Sequence, residues 1–121
     1  MNLVTEVLLP LTVNGQASGN YDGSSLDFTG DPVRAVNYYM GQGSIQTVQL
    51  RVTGFVGRII VESTLQDNPA AAAWFETYRT ENLVTPISYY NPVSITGNFT
   101  WMRVRIELFD AGTIDSIQLV Y

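Results

Sequence analysis

The stretch that decides the fold is Val48-Gln49-Leu50-Arg51-Val52-Thr53-Gly54-Phe55-Val56-Gly57-Arg58-Ile59-Ile60-Val61-Glu62-Ser63-Thr64-Leu65. Apolar and polar side chains alternate in its first part, and the alternation resumes after the second glycine. In a β-strand, alternate side chains lie on opposite faces. We therefore predict two strands joined by a glycine-bounded turn. The predicted inner face consists of Val48, Leu50, Val52, Ile59, Val61, Ser63 and Leu65.

The clearest single strand is predicted from Thr100 to Phe109. Its two faces would be Met102, Val104, Ile106 and Leu108 against Trp101, Arg103, Arg105, Glu107 and Phe109. A hairpin at 110–113 would lead to a last strand whose inward side chains are Ile117, Leu119 and Tyr121. Strict alternation would place Ile114 on the face opposite to these three side chains, which indicates a bulge near Asp115.

The rest of the chain contains shorter β-favouring segments separated by turn residues. We predict one or two strands in 3–13 with a bend at Pro10, and further strands at 25–28, 33–40, 74–80 and 93–96. Residues 82–92 are predicted to form a connection, and at most one short helical turn is expected near residues 69–73, with Asn68 as its cap. About eight short strands with almost no helix predict an all-β fold, an antiparallel, jelly-roll-like β-sandwich that forms a single domain over residues 1–121.

Several residue types are absent from the 121 residues. The chain has no cysteine and no histidine, and its six positive charges are all arginines. Disulfides, thiolate zinc sites and a standard serine triad are therefore excluded. We expect no enzymatic activity, no cofactor and no metal.

Charge and hydropathy narrow the range of partners. The formal net charge is −5, whereas nucleic-acid binding needs a basic surface. Only 14% of residues are charged, against about 25% in a typical domain, and such neutral surfaces are typical of protein interfaces. No apolar run approaches the ~20 residues that cross a bilayer, and the first six residues lack the positive region of a signal peptide. We expect neither nucleic acid nor membrane as a partner.

Two groups of acidic residues have the residue types of a chemical site. Asp22, Asp27 and Asp31 lie in a turn-rich loop, but their spacing does not match an EF-hand, so turn and cap chemistry is the preferred interpretation over calcium binding. Glu62 and Glu107 could in principle flank a glycosidic bond. Cross-strand pairing with neighbouring arginines accounts for both glutamates without catalysis.

Aromatic residues occur as adjacent pairs, such as Tyr89-Tyr90. Neighbours on a strand point to opposite faces, so one member of each pair must leave the core. Such side chains could cover the outer face of a sheet, anchor a protein interface, or stack on sugar rings.

The motifs of the last 75 residues or so resemble a known class of module. They are Val48 to Gly54, Gly57 to Leu65, Trp74-Phe75, Gly97 to Ile106 and Gly112 to Ile117. This order is similar to jelly-roll or discoidin-like modules of tailed-bacteriophage virion proteins, including decoration or cement proteins, fibres and baseplate components. The motifs specify a fold pattern and carry no ligand-contacting positions.

The resemblance implies a non-enzymatic virion structural protein that is assembled in the host cytoplasm and binds other virion proteins. It also implies a homo-oligomer, with a trimer by analogy. The alternative is a carbohydrate-binding or receptor-binding sandwich, with a glycan as ligand. Our interface candidates are Tyr38, Tyr39, Trp74, Tyr78, Tyr89, Tyr90, Trp101, Arg103 and Arg105.

Overall fold

The computed structural model describes residues 4–38, 44–70, 73–81 and 83–121. Within these ranges it contains eight β-strands, all paired antiparallel, and no helix. The strands are β1 (Thr5–Leu9), β2 (Thr12–Val13), β3 (Phe28–Thr29), β4 (Val33–Arg34), β5 (Ile45–Thr64), β6 (Phe75–Arg79), β7 (Leu83–Thr96) and β8 (Trp101–Val120). The predicted all-β antiparallel fold is confirmed. The part of the chain covered by these ranges includes no helix that could cross a membrane.

Two strands of 20 residues each, β5 and β8, form the centre of the sheet. They pair along nearly their whole length, from Thr47 opposite Val120 to Thr64 opposite Trp101. Strands β1 to β4 pair in succession along the other edge of β8, while β7 and β6 share the other edge of β5. The sheet is therefore four strands wide at each end of the central pair.

The two predicted hairpins are wrong, because both segments continue as strand. β5 runs unbroken through Gly54 and Gly57, and β8 runs unbroken through 110–113. The pairing register shifts instead, between Thr53 and Val56 and again between Val56 and Arg58. Such bulges bend a strand without ending it. A straight strand of 20 residues would measure about 65 Å, which far exceeds the dimensions of a domain of this size.

The bend brings both halves of the central pair onto one hydrophobic core, which gives a β-sandwich-like arrangement. The predicted inward side chains within 48–52, 59–63, 102–106 and 117–119 are at most 2% exposed, which confirms these assignments. A single buried cluster includes residues from both halves: Val48, Leu50, Val52, Ile59, Val61, Met102, Val104, Ile106, Ile117 and Leu119.

The side of β8 that faces the core changes at Leu108, so the predicted orientations of Leu108 and Phe109 are wrong. Leu108 has a φ of 55° and is 43% exposed, whereas Phe109, predicted to face outward, is 1% exposed. The left-handed backbone at Leu108 turns the strand so that two successive residues exchange faces. Phe109 then packs with Tyr21 and Phe55, at centroid distances of 5.2 and 5.7 Å. The predicted bulge near Asp115 is confirmed. Arg51 and Val52 of β5 pair with Ser116 and Ile114, and Asp115 between them has no partner in β5.

Burial at the end of β5 also differs from the prediction. Ile60 and Thr64, expected on the outer face, are fully buried, and Leu65 lies beyond the strand end and is 58% exposed. Ile60 does not belong to the core cluster. Its neighbours across the sheet are Arg79 and Arg105. The aliphatic parts of such long side chains can cover an apolar residue on a sheet surface.

The segment 82–92, predicted as a connection, belongs to β7, which continues through Pro86 and Pro92. Proline is tolerated because β7 pairs only with β5 among the described strands and so lies at an edge. The bend at Pro10 between β1 and β2 is confirmed, as is the strand β6.

Two other predictions concern turns. Residues 36–38 form a turn closed by the Tyr38 amide on the Ala35 carbonyl, so the strand predicted for 33–40 ends early, and residues 39–40 lie outside the described ranges. Near the predicted helical turn, the Ala70 amide donates to Asn68 Oδ1 at 3.0 Å. Residues 71 and 72 of that turn also lie outside the described ranges.

Candidate binding surfaces

Four of the six arginines lie on the outer face of β6, β5 and β8 and form one network with three glutamates. The register places Arg58 opposite Glu107 and Glu62 opposite Arg103. We refer to this group as the arginine network; its members are Arg58, Arg79, Arg103, Arg105, Glu62, Glu76 and Glu107.

Arg105 is the centre of the arginine network. Its guanidinium lies 2.9 Å from Glu107, 3.1 Å from Glu76 and 3.5 Å from Glu62. Arg103 Nε donates to Glu62 at 2.8 Å. The pairing of Glu62 and Glu107 with cross-strand arginines, predicted from sequence, is confirmed. The 3.5 Å contact is an ion pair only, since Arg105 Nε has no hydrogen-bond partner among the residues described.

The exposed end of the network is a bidentate pair. Arg79 donates two hydrogen bonds to Glu76, at 2.6 and 2.9 Å. These bonds lower the pKa of Glu76 and raise the pKa of Arg79. The guanidinium of Arg79 is therefore held in an ion pair within the chain.

The two tryptophans also contact their own chain. The guanidinium of Arg103 lies 4.3 Å above the ring of Trp74, and Trp101 Nε1 donates to the Asp67 carbonyl at 2.9 Å. Tyr38 packs edge-on against Trp101 at 5.2 Å. Five of the interface candidates thus take part in the arginine network or in the contacts of the two tryptophans: Tyr38, Trp74, Trp101, Arg103 and Arg105. Tyr39 lies outside the described residues.

The other three candidates meet in a groove. Because β7 and β6 pair with successive parts of one edge of β5, an open space of about 450 Å³ lies between them. We refer to it as the tyrosine groove; it is lined by Tyr78, Arg79, Thr80, Glu81, Ile87, Tyr89, Tyr90 and Asn91.

The aromatic rings of the tyrosine groove are held by the fold. Tyr78 and Tyr89 are half-buried and pack against the core cluster. Burial raises the pKa of Tyr89, and the nearby phenol of Tyr78 adds to the effect. Tyr90 is 61% exposed, and its hydroxyl donates to Gln49 at 2.9 Å.

Strand β7 itself forms an exposed edge. Its 14 residues contain no charged side chain. Val84 is 77% exposed and Ile87 is 38% exposed. Apart from β5, none of the described strands pairs with it.

The loop aspartates do not converge. Asp22 accepts hydrogen bonds from the amides and hydroxyls of Ser24 and Ser25, which lower its pKa to about 2. Asp27 accepts from the Leu108 amide, and Asp31 accepts from the Asn20 side chain. The predicted turn and cap chemistry is confirmed for Asp22, whereas Asp27 and Asp31 accept from residues distant in the sequence. Across the four described ranges there is no acidic cluster that could hold a metal ion.

Sequence reasoning found the tyrosines of the groove but not their neighbours. Ile87 and Asn91 are missed because 82–92 is predicted to be a connection, whose side chains have no assigned faces. Arg79, Thr80 and Glu81 carry no sequence signal that brings them to the same groove. The uncharged run of alternating apolar and polar residues around Tyr89 was the available signal for a strand.

Comparison with known proteins leaves the chain unassigned: no protein-family model matches it, and no curated protein matches it.

Proposed function

We propose that the chain is a non-enzymatic structural module that self-associates through β7 and serves as a virion component of a tailed phage, as a decoration protein or a tail or baseplate component. The observation that supports self-association is the long, uncharged and exposed edge strand. The virion role depends on the resemblance of the last 75 residues or so to phage modules.

An exposed edge strand favours pairing with another chain. Proteins that remain monomeric protect such edges with lysine, with inward charges or by keeping the strand short. β7 has 14 residues and no charge, although its prolines do interrupt the edge. Depletion of charge and enrichment of tyrosine are also the features that distinguish interface cores from other surface.

The prolines indicate how a second copy would bind. Pro86 and Pro92 have no amide donor, and proline is compatible with an edge strand when its nitrogen faces away from the paired neighbour. An uninterrupted main-chain ladder along the free edge is therefore not available. The contact we propose is made by the exposed side chains of Val84, Ile87 and Tyr90.

The experiment is native mass spectrometry, with light scattering at micromolar concentration, on the full chain and two variants. We expect a closed oligomer that dissociates in Val84→Arg, because a charge placed in an apolar contact must be desolvated. Val7→Arg is the matched control, since Val7 is 48% exposed on β1, at the opposite edge of the sheet. A monomeric wild type, or an oligomer that Val84→Arg leaves intact, would contradict self-association through β7.

A further inference from the structure

The tyrosine groove has the size and rigidity of a ligand site. Its volume of about 450 Å³ falls within the ~300–1,000 Å³ of small-molecule pockets. Tyr78 and Tyr89 are anchored in the core, and Tyr90 is fixed by Gln49. The aromatic faces are therefore held in place before any ligand arrives, which lowers the entropic cost of binding.

Several polar groups around the groove have unused hydrogen-bonding capacity. Within the described part of the chain, no hydrogen bond is made by the hydroxyls of Tyr78 and Tyr89, the carboxylate of Glu81 or the amide of Asn91. The phenol hydroxyls and the amide can each donate and accept hydrogen bonds, and the carboxylate can accept them. The arginine network differs, because its charged groups are already paired with one another.

The charge of the groove selects against anions. Arg79 donates two hydrogen bonds to Glu76, which also pairs with Arg105, and Glu81 has no cationic partner among the residues described. A sulfate, phosphate or carboxylate on a ligand would meet the Glu81 carboxylate, while Arg79 is already held by Glu76 and the guanidinium of Arg51 lies over the ring of Tyr90 at 5.7 Å. The ligand should therefore be uncharged and rich in hydroxyl groups.

We propose that the tyrosine groove binds a neutral saccharide. A pyranose ring has an apolar C–H face that can lie on a tyrosine ring, and its hydroxyl rim can reach the side chains of Glu81 and Asn91. An open groove lined by three tyrosines accommodates more than one sugar ring. The groove shares Ile87 and Tyr90 with the proposed β7 contact, so saccharide binding is measured on the Val84→Arg variant as well as on the wild type.

The test is saturation-transfer NMR, followed by calorimetry, on the full chain with a panel of neutral oligosaccharides at millimolar concentration. Maltotriose, cellotriose and chitotriose are suitable probes, and a sialylated trisaccharide tests the charge preference. At least one neutral probe should bind. The double variant Tyr78→Phe with Tyr89→Phe keeps both rings and should weaken that binding by about tenfold or more, because two neutral hydrogen bonds are lost.

The matched control is Tyr38→Phe, which removes a phenol from a residue that packs on Trp101 and not in the groove. It should leave the affinity unchanged. The proposal is overturned if no neutral probe binds, if the sialylated probe binds more tightly than every neutral one, or if the double variant binds like the wild type. The oligomeric state of the same variants, measured in parallel, shows separately whether self-association through β7 occurs.

Discussion

Glu62 on β5 and Arg103 on β8 lie directly opposite each other, and Arg103 Nε donates a 2.8 Å hydrogen bond to Glu62 Oε1. The Glu62 side chain is only 10% exposed, and Arg105 lies 3.5 Å from its other oxygen. One nearly buried carboxylate therefore forms ion pairs with two arginines on the outer face of the sheet.

We expect Glu62→Ala to lower the free energy of unfolding by about 2 kcal/mol. Breaking a fully buried pair costs about 3–5 kcal/mol, and the partial exposure of both arginines reduces that figure. Urea unfolding measures the change. Glu6→Ala is the control, because no ion pair involving Glu6 is found in the described structure, and it should change stability by less than about 0.5 kcal/mol. Equal effects of the two substitutions would contradict the role of the network.

At Leu108 and Phe109, the residue of β8 that faces the core is not the one that the alternation in the sequence predicts. Ile106 is fully buried, so Ile106→Asp should prevent folding, because an unpaired carboxylate in the core costs several kcal/mol. Leu108→Asp should be tolerated within about 1 kcal/mol, since the side chain is partly exposed and aspartate is compatible with a left-handed backbone. Circular dichroism and thermal melts distinguish the two outcomes. Loss of folding in both variants would support the uninterrupted alternation of the sequence.

At Gly112 the two bent strands lie close together. A Cβ added there would overlap the carbonyl of Gly54, and its φ of 93° is unfavourable for other residues. Gly112→Ala should lower the free energy of unfolding by about 3 kcal/mol, from backbone strain and steric overlap together.

The control for that substitution is Gly15→Ala. Gly15 also has a positive φ, of 88°, but a Cβ there would meet no atom within 4 Å. Only the conformational cost of about 1–2 kcal/mol applies. If chemical denaturation gives the same loss for both variants, the close approach at Gly112 is not a source of destabilisation.

Asp22 should contribute to the loss of folding stability at low pH. Its pKa falls from 3.8 in the unfolded chain to about 2 in the fold, because it accepts hydrogen bonds from Ser25 and Ser24. Between these values the unfolded state binds more protons, so stability is present above about pH 4 and is lost as the pH falls towards 2. Asp22→Asn should flatten the decline in unfolding midpoint between about pH 5 and pH 2.5. An unchanged slope would mean that these hydrogen bonds do not persist in solution.

The fold class could be predicted from the sequence because alternation is a local property of each strand. Val48, Leu50 and Val52 are buried as predicted, and so are Met102 and Val104. The interface candidates were less predictable. Alternation shows that one of Tyr89 and Tyr90 must leave the core, but it cannot show that both border the same groove as Tyr78.

Residue types and their spacing by themselves determined that this is an antiparallel β protein with no histidine or cysteine chemistry. Only the tertiary structure decided whether the glycines at 54 and 112 end strands or bend them. The reason is that glycine permits both outcomes locally, and the choice depends on the partner strand. Gly54 and Gly112 lie against each other, so β5 and β8 bend together and remain paired. That shared bend also separates β6 from β7 and opens the tyrosine groove, a feature that depends on how distant segments pair.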